Sequence, residues 1–227
     1  MATHTNRRMI RDTRFWRAYD TSRYTVLFYA LLLTLLVMPA ASTIGLPVFL
    51  IKFLLGLCLF AAVMPNATKA TRHALFIGVA LLVAARFAAD YGYLPVNSGV
   101  LLVLVGLTGL AAAGATLRFV VSSRAVDRET LYAALSTYLL AGIFFGQIYW
   151  SLEGFWPGSL VGPDPTTETT AVYYSFVTLA TLGYGDFLPR TDIARGVATF
   201  EVIGGQLYLA VMVARLIGLF VPQKGGR

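Results

Sequence analysis

The chain has 227 residues, of which 57% are hydrophobic and only 13% charged, with a formal net charge of +7. A soluble domain of this size does not carry that balance, so lipid is the solvent for most of the chain. Its Lys and Arg lie between apolar runs rather than on one basic face, which argues against nucleic acid as a partner.

In chain order, residues 1–23 form a basic segment in which Arg8, Arg11, Arg14 and Arg17 recur every third position. With Met9, Ile10, Phe15 and Trp16 turned toward lipid, this reads as an interfacial cytoplasmic helix suited to anionic lipid headgroups. The apolar run that follows lacks a small-residue cleavage site and is read as a retained transmembrane helix rather than a signal peptide. Six spans are expected, near 24–41, 46–64, 74–89, 97–117, 131–150 and 196–220. The first four form a front domain, residues 24–128. Cys58, the one cysteine, lies inside the second run, so no intrachain disulfide is available.

A voltage sensor needs several arginines within one span, each contributing about 2.3 kcal/mol per 100 mV. Span four, Val96 to Leu117, has none. Lys52 and Arg86 are isolated cations in spans two and three that snorkel or pair with Asp90. Steep voltage gating is therefore not expected. His4 and His73 are lone histidines with no assigned site.

Residues 129–221 form the second unit. Between spans five and six, residues 151–168 are rich in Gly, Pro and Thr, and Thr170 to Leu182 is an apolar stretch too short to cross a bilayer. A re-entrant helix is expected there, with its N-terminus between Asp164-Pro165 and Thr170. Positive charges near the span ends alternate with acidic loops. Arg7, Arg8, Arg11, Arg14, Arg17 and Arg23 precede span one, Lys69 and Arg72 follow span two, and Arg118, Arg124 and Arg128 follow span four. Lys224 and Arg227 follow span six. Both termini are therefore expected to be cytoplasmic, with residues 151–195 external. With a tail of only residues 222–227, no appended sensor domain is expected.

The run Tyr173-Tyr174-Ser175-Phe176-Val177-Thr178-Leu179-Ala180-Thr181-Leu182-Gly183-Tyr184-Gly185-Asp186 resembles the pore loop of the tetrameric potassium channel family. The resemblance extends from about Tyr132 to Phe220; spans one to four match that family only in number and placement. It implies an all-α membrane protein of six transmembrane helices, with a re-entrant pore helix and a selectivity-filter loop between spans five and six. The main-chain oxygens of Thr181, Leu182, Gly183 and Tyr184 would replace water around K⁺, with the Thr181 hydroxyl facing an inner cavity and Tyr184 bracing the loop. Gly183 and Gly185 can take left-handed dihedrals at low cost, which keeps a row of carbonyls turned one way. Tyr173, Tyr174, Thr178 and Asp186 would support the filter.

Three positions depart from the family pattern. Leu182 replaces the usual valine, Tyr173 and Tyr174 stand where many members have a tryptophan pair, and Val177 stands where some carry a glutamate. In span six, Gly204 and Gly205 align with the family's glycine hinge, although close helix packing explains them equally well. Leu209, Val213, Ile217 and Val221 recur at helical spacing and could form an apolar constriction. Glu201 is an ionisable group inside a span, read either as a cation-attracting or pH-responsive group or as hydrogen-bonded to the pore helix.

The implied function is passive, potassium-selective conduction by a homotetramer in a plasma or inner membrane. The chain would need three further copies of itself, membrane lipid as partner, and no cofactor other than the permeant ion. A less selective cation channel and a non-conducting membrane adaptor are the alternatives. No hydrolase, redox or phosphate-binding constellation is visible, so an enzyme is not expected.

Overall fold

A computed structural model describes residues 3–44, 48–63, 69–90, 92–93, 98–123 and 127–220. The expected tail 222–227, Val221, Val96 and Arg124 lie outside the described residues, as do the side chains of residues 3–21, Lys52, His73 and Asp90. The elements are α1 (Thr3–Ile44), α2 (Val48–Val63), α3 (Lys69–Asp90), α4 (Ser98–Ser122), α5 (Arg128–Phe155), β1 (Leu160–Val161), α6 (Glu168–Leu179), β2 (Leu188–Pro189) and α7 (Asp192–Phe220).

Among the described residues, four helical stretches are long and apolar enough to cross a membrane: Ser22–Ala41, Ser98–Ser122, Arg128–Phe155 and Asp192–Arg215. They coincide with the expected spans one, four, five and six. The other two expected spans fall on α2, which has 16 residues, and on α3, whose shorter apolar part is Ile77–Ala89. At a rise of about 1.5 Å per residue, α2 reaches roughly 24 Å, somewhat less than a hydrocarbon layer of about 30 Å.

α1 is two helical arms joined at Ser22, whose φ of −131° and ψ of 24° are non-helical. The break opens fresh N-terminal amides, and the first turn of α5 satisfies them from outside the helix. Glu129 accepts from the Tyr24 amide at 3.0 Å and from the Thr25 hydroxyl at 2.5 Å. α5 has its own cap in Asp127, which accepts from the Thr130 amide at 2.8 Å.

In lipid, helices gain nothing from excluding water, so close approach of backbones decides which of them pair. α4 meets α5 through glycine. A Cβ at Gly109 would fall 2.0 Å from the Phe144 ring, and one at Gly106 would fall 2.7 Å from Ile148. α5 then meets α6 through Gly142 and Gly146, whose added Cβ atoms would strike the Phe176 ring at 2.5 Å and the Val172 Cα at 2.6 Å. α5 thus links the front helices α1 and α4 to α6 and α7, touching all four.

The segment between α5 and α7 is closed at its neck. β1 and β2 pair antiparallel, with Leu160 opposite Pro189 and Val161 opposite Leu188. The Arg190 amide donates to the Ser159 carbonyl at 2.8 Å. Glu153 secures the same corner, accepting from the amides of Gly158 at 2.7 Å and Leu160 at 3.1 Å. Residues 162–187 therefore leave and return at one place. At its other end α7 is tied to the front domain, where the Arg215 guanidinium donates to the Ser123 carbonyl at the end of α4.

Two measurements test this account. Replacing Gly109 with Leu is expected to destabilise the protein by about 1–3 kcal/mol through overpacking. Gly114→Leu, at a position where an added Cβ meets nothing within 4 Å, is expected to be near neutral; detergent-solubilised thermal unfolding compares them. Asp127→Ala is expected to cost about 1 kcal/mol of helix stability and Asp127→Asn much less. Hydrogen bonds from the Thr130 side chain and amide hold the Asp127 carboxyl below its ordinary range. Its contribution is therefore present above the ordinary carboxylate range and disappears as pH falls through the lowered folded value, which the Ala variant's flatter acid profile would reveal.

Candidate functional site

α6 begins with a reciprocal cap. The Thr170 amide donates to the Thr167 hydroxyl at 3.2 Å, and the Thr167 amide donates to the Thr170 hydroxyl at 2.7 Å. Glu168 follows in the first turn, where an acid suits the helix dipole, and it accepts from Gln147 Nε2 of α5 at 2.9 Å. The helix lasts 12 residues and ends at Ala180, about 18 Å along.

How it ends determines what comes next. The Thr181 amide donates to the Thr178 carbonyl and the Leu182 amide to the Val177 carbonyl, both at 2.9 Å. That pair of bonds is a Schellman termination, which needs a left-handed residue just past the cap, usually glycine. Here the residue is Thr181, with φ of 57°. The left-handed conformation recurs at Gly183, φ 57°, and Gly185, φ 77°. Every second residue of the run 181–185 is thus left-handed, an alternation that turns successive peptide groups the same way. The sequence singled out the two glycines; nothing in it marks Thr181 for that conformation, because a β-branched residue is normally excluded there.

The residues expected to support this loop separate into two faces. Tyr173 donates to Asp186 Oδ2 at 2.7 Å, a bond from α6 to loop end, and its ring lies edge-on to Phe187. Tyr174 turns the other way, buried, with its ring edge-on to Tyr149 of α5 at 4.8 Å. Thr178 joins Thr181, Gly183 and Gly185 in lining an open groove of about 520 Å³ whose other wall is α7. Leu182 and Tyr184 are both more than half exposed on the single chain.

α7 runs unbroken past the loop. Gly205 packs against α6 so closely that a Cβ there would fall 2.7 Å from the Leu179 carbonyl oxygen, whereas Gly204 faces open space. The two glycines expected as one hinge therefore occupy different environments, one a packing contact and the other free. Gln206, which the sequence reading passed over, donates to the Thr181 hydroxyl at 3.4 Å. Leu209, Val213 and Ile217 are exposed along α7. Tyr208 donates to the Ala134 carbonyl and anchors this stretch to α5. Glu201 is fully buried, within 2.7 Å of the Tyr149 hydroxyl and 2.5 Å of the Ser175 hydroxyl. Of the two readings of this acid, hydrogen bonding to α6 is the arrangement found. Among the described residues, no group of three or more His, Cys, Asp or Glu side chains is placed to hold a metal ion.

Residues 134–221 match the family described as ion channel. The voltage-gated potassium channel Kch of Escherichia coli is 33% identical over 98 residues, which are 43% of this chain and 21% of that protein. A Rhodopseudomonas palustris protein named as a potassium channel protein is 31% identical over 94 residues, 41% of this chain and 22% of that protein. The chain spans about a fifth of the length of these curated relatives. No solved structure matches it significantly. Residues 134–221 thus match an ion channel domain, within a chain that has four helical stretches long and apolar enough to cross a membrane among its described residues.

Proposed function

We propose that the chain is one subunit of a potassium-selective channel, with four copies surrounding a central path along which K⁺ moves passively. The observation that carries this reading is the alternation of left-handed residues at Thr181, Gly183 and Gly185 directly after a short capped helix. Main-chain oxygens of Thr181, Leu182, Gly183 and Tyr184 aimed at a common axis would take the place of hydration water. The α6 C-terminus would add partial negative charge beneath them. Tyr173 and Asp186 would hold the outer end in place through their hydrogen bond.

One loop supplies only a quarter of such a ring, so assembly is a physical requirement. The exposure of α7 supports it: within an 18-residue apolar window of that helix only 17% of residues are buried on the single chain, far too few for a helix surrounded by its own subunit. The open groove between the loop and α7, about 520 Å³, has room for side chains of a neighbouring copy. The paired neck at β1 and β2 supports a re-entrant path for α6 and the loop, between the fifth and sixth of six spans. Both termini are then cytoplasmic, in a plasma or inner membrane, with the basic residues 1–23 against anionic lipid. One relative is named voltage-gated, but α4 here carries a single cation, Arg118, near its C-terminal end. Steep voltage dependence is not part of this reading.

Purified protein in liposomes is expected to release K⁺ down its gradient, and Gly185→Ala to lower that flux about 5- to 30-fold, since a left-handed L-residue costs roughly 1–2 kcal/mol. Unchanged flux in the variant would remove the filter from residues 181–185. Reversal potentials in mixed K⁺ and Na⁺ separate a selective pore from a general cation pore, and absence of flux from wild type would favour a non-conducting adaptor. The mass of the detergent-solubilised complex is expected to equal four chains.

A further inference from the structure

Glu201 and Gly205 lie one turn apart on α7 and face Ser175 and Leu179, one turn apart on α6. At the second of these points the helices touch through backbone. At the first they touch through a buried acid whose protons can be counted. The Ser175 oxygen lies 2.7 Å from the Gly142 carbonyl oxygen of α5 and 2.5 Å from Glu201 Oε1. Each contact needs a proton between its oxygens, and a serine hydroxyl brings one. A carbonyl oxygen has none to give, so the Ser175 proton serves Gly142. Tyr149 donates its only proton to Glu201 Oε2 at 2.7 Å. The remaining contact, between Ser175 and Glu201, is complete only if the acid itself carries a proton.

The surroundings agree. The polar groups facing Glu201 are Tyr149 and Tyr138 of α5 and Ser175 and Tyr174 of α6. Tyr208 of α7 and the small and apolar residues Ala113, Gly114 and Leu117 of α4 line the adjoining cavity. None of them is a cation, and a buried carboxylate without one is costly.

We propose that Glu201 is held as a neutral carboxylic acid that donates to Ser175, and that it is a positioning residue which fixes α6, and with it the loop 181–185, in register against α7. Its effect on conduction rests on the channel reading above, whereas its protonation does not. As a neutral acid, Glu201 donates through one oxygen and accepts from Tyr149 through the other, a pattern that glutamine reproduces and leucine does not.

Infrared difference spectroscopy of the whole protein at neutral pH, wild type against Glu201→Gln, is expected to show a carboxylic-acid carbonyl band lost in the variant. Tyr149→Phe, which removes one hydrogen bond to the acid, is expected to move that band to higher frequency. In liposomes, Glu201→Gln is expected to retain wild-type K⁺ flux and Glu201→Leu to lose it. Absence of the band, a band indifferent to Tyr149→Phe, or full flux in Glu201→Leu would each overturn the proposal. If wild type itself carried no flux, the channel reading would fall, while the infrared comparison would still decide the state of Glu201.

Discussion

A helix that stops inside a lipid layer leaves its last carbonyl groups in a medium with no water to satisfy them. On the proposed re-entrant path α6 would be such a helix, and the contacts around the loop answer to the way that end is closed. Thr178 and Val177 give their carbonyls to the amides of Thr181 and Leu182, and the turn that makes this possible forces Thr181 into a conformation a threonine resists. The strain is sustained because the neighbouring structure fixes the loop from three sides. The Gln206 amide holds the Thr181 hydroxyl, the Leu179 carbonyl is pressed on Gly205, and Asp186 is tied back to Tyr173.

The position of α6 depends in turn on α5. Gly106 and Gly109 of α4 let that helix approach α5 on one side, and Gly142 and Gly146 of α5 itself let α6 approach, so α5 sets the separation between the front helices and the loop. Its first turn does further work through Glu129, which closes the break in α1. A single helix therefore carries the cap of the first span, the seat of α4 and the back wall of α6.

What could be read from the sequence follows from which features are local. Long apolar runs identify themselves, and the four strongest spans fall where their hydropathy placed them. Gly183 and Gly185 announce left-handed backbone because no other residue adopts it cheaply. Thr181 gave no such sign, since its conformation is imposed by the two amide bonds that end α6 rather than by its own preference. Gly204 and Gly205 look alike in sequence, yet only the approach of Leu179 distinguishes them. Glu201 was legible as an anomaly, an acid in an apolar span, but its partners Tyr149 and Ser175 stand 52 and 26 residues away and no spacing rule connects them.

Only residues 123–127 separate α4 from α5, and α4 packs on the α5 of its own chain. Were four copies to assemble as proposed, each would bring its α1–α4 bundle complete within itself. In a mixed population of normal and altered chains, a defect confined to that bundle would then stay with the quarter that carries it, whereas a defect in the loop would be shared by every ring into which that chain is incorporated.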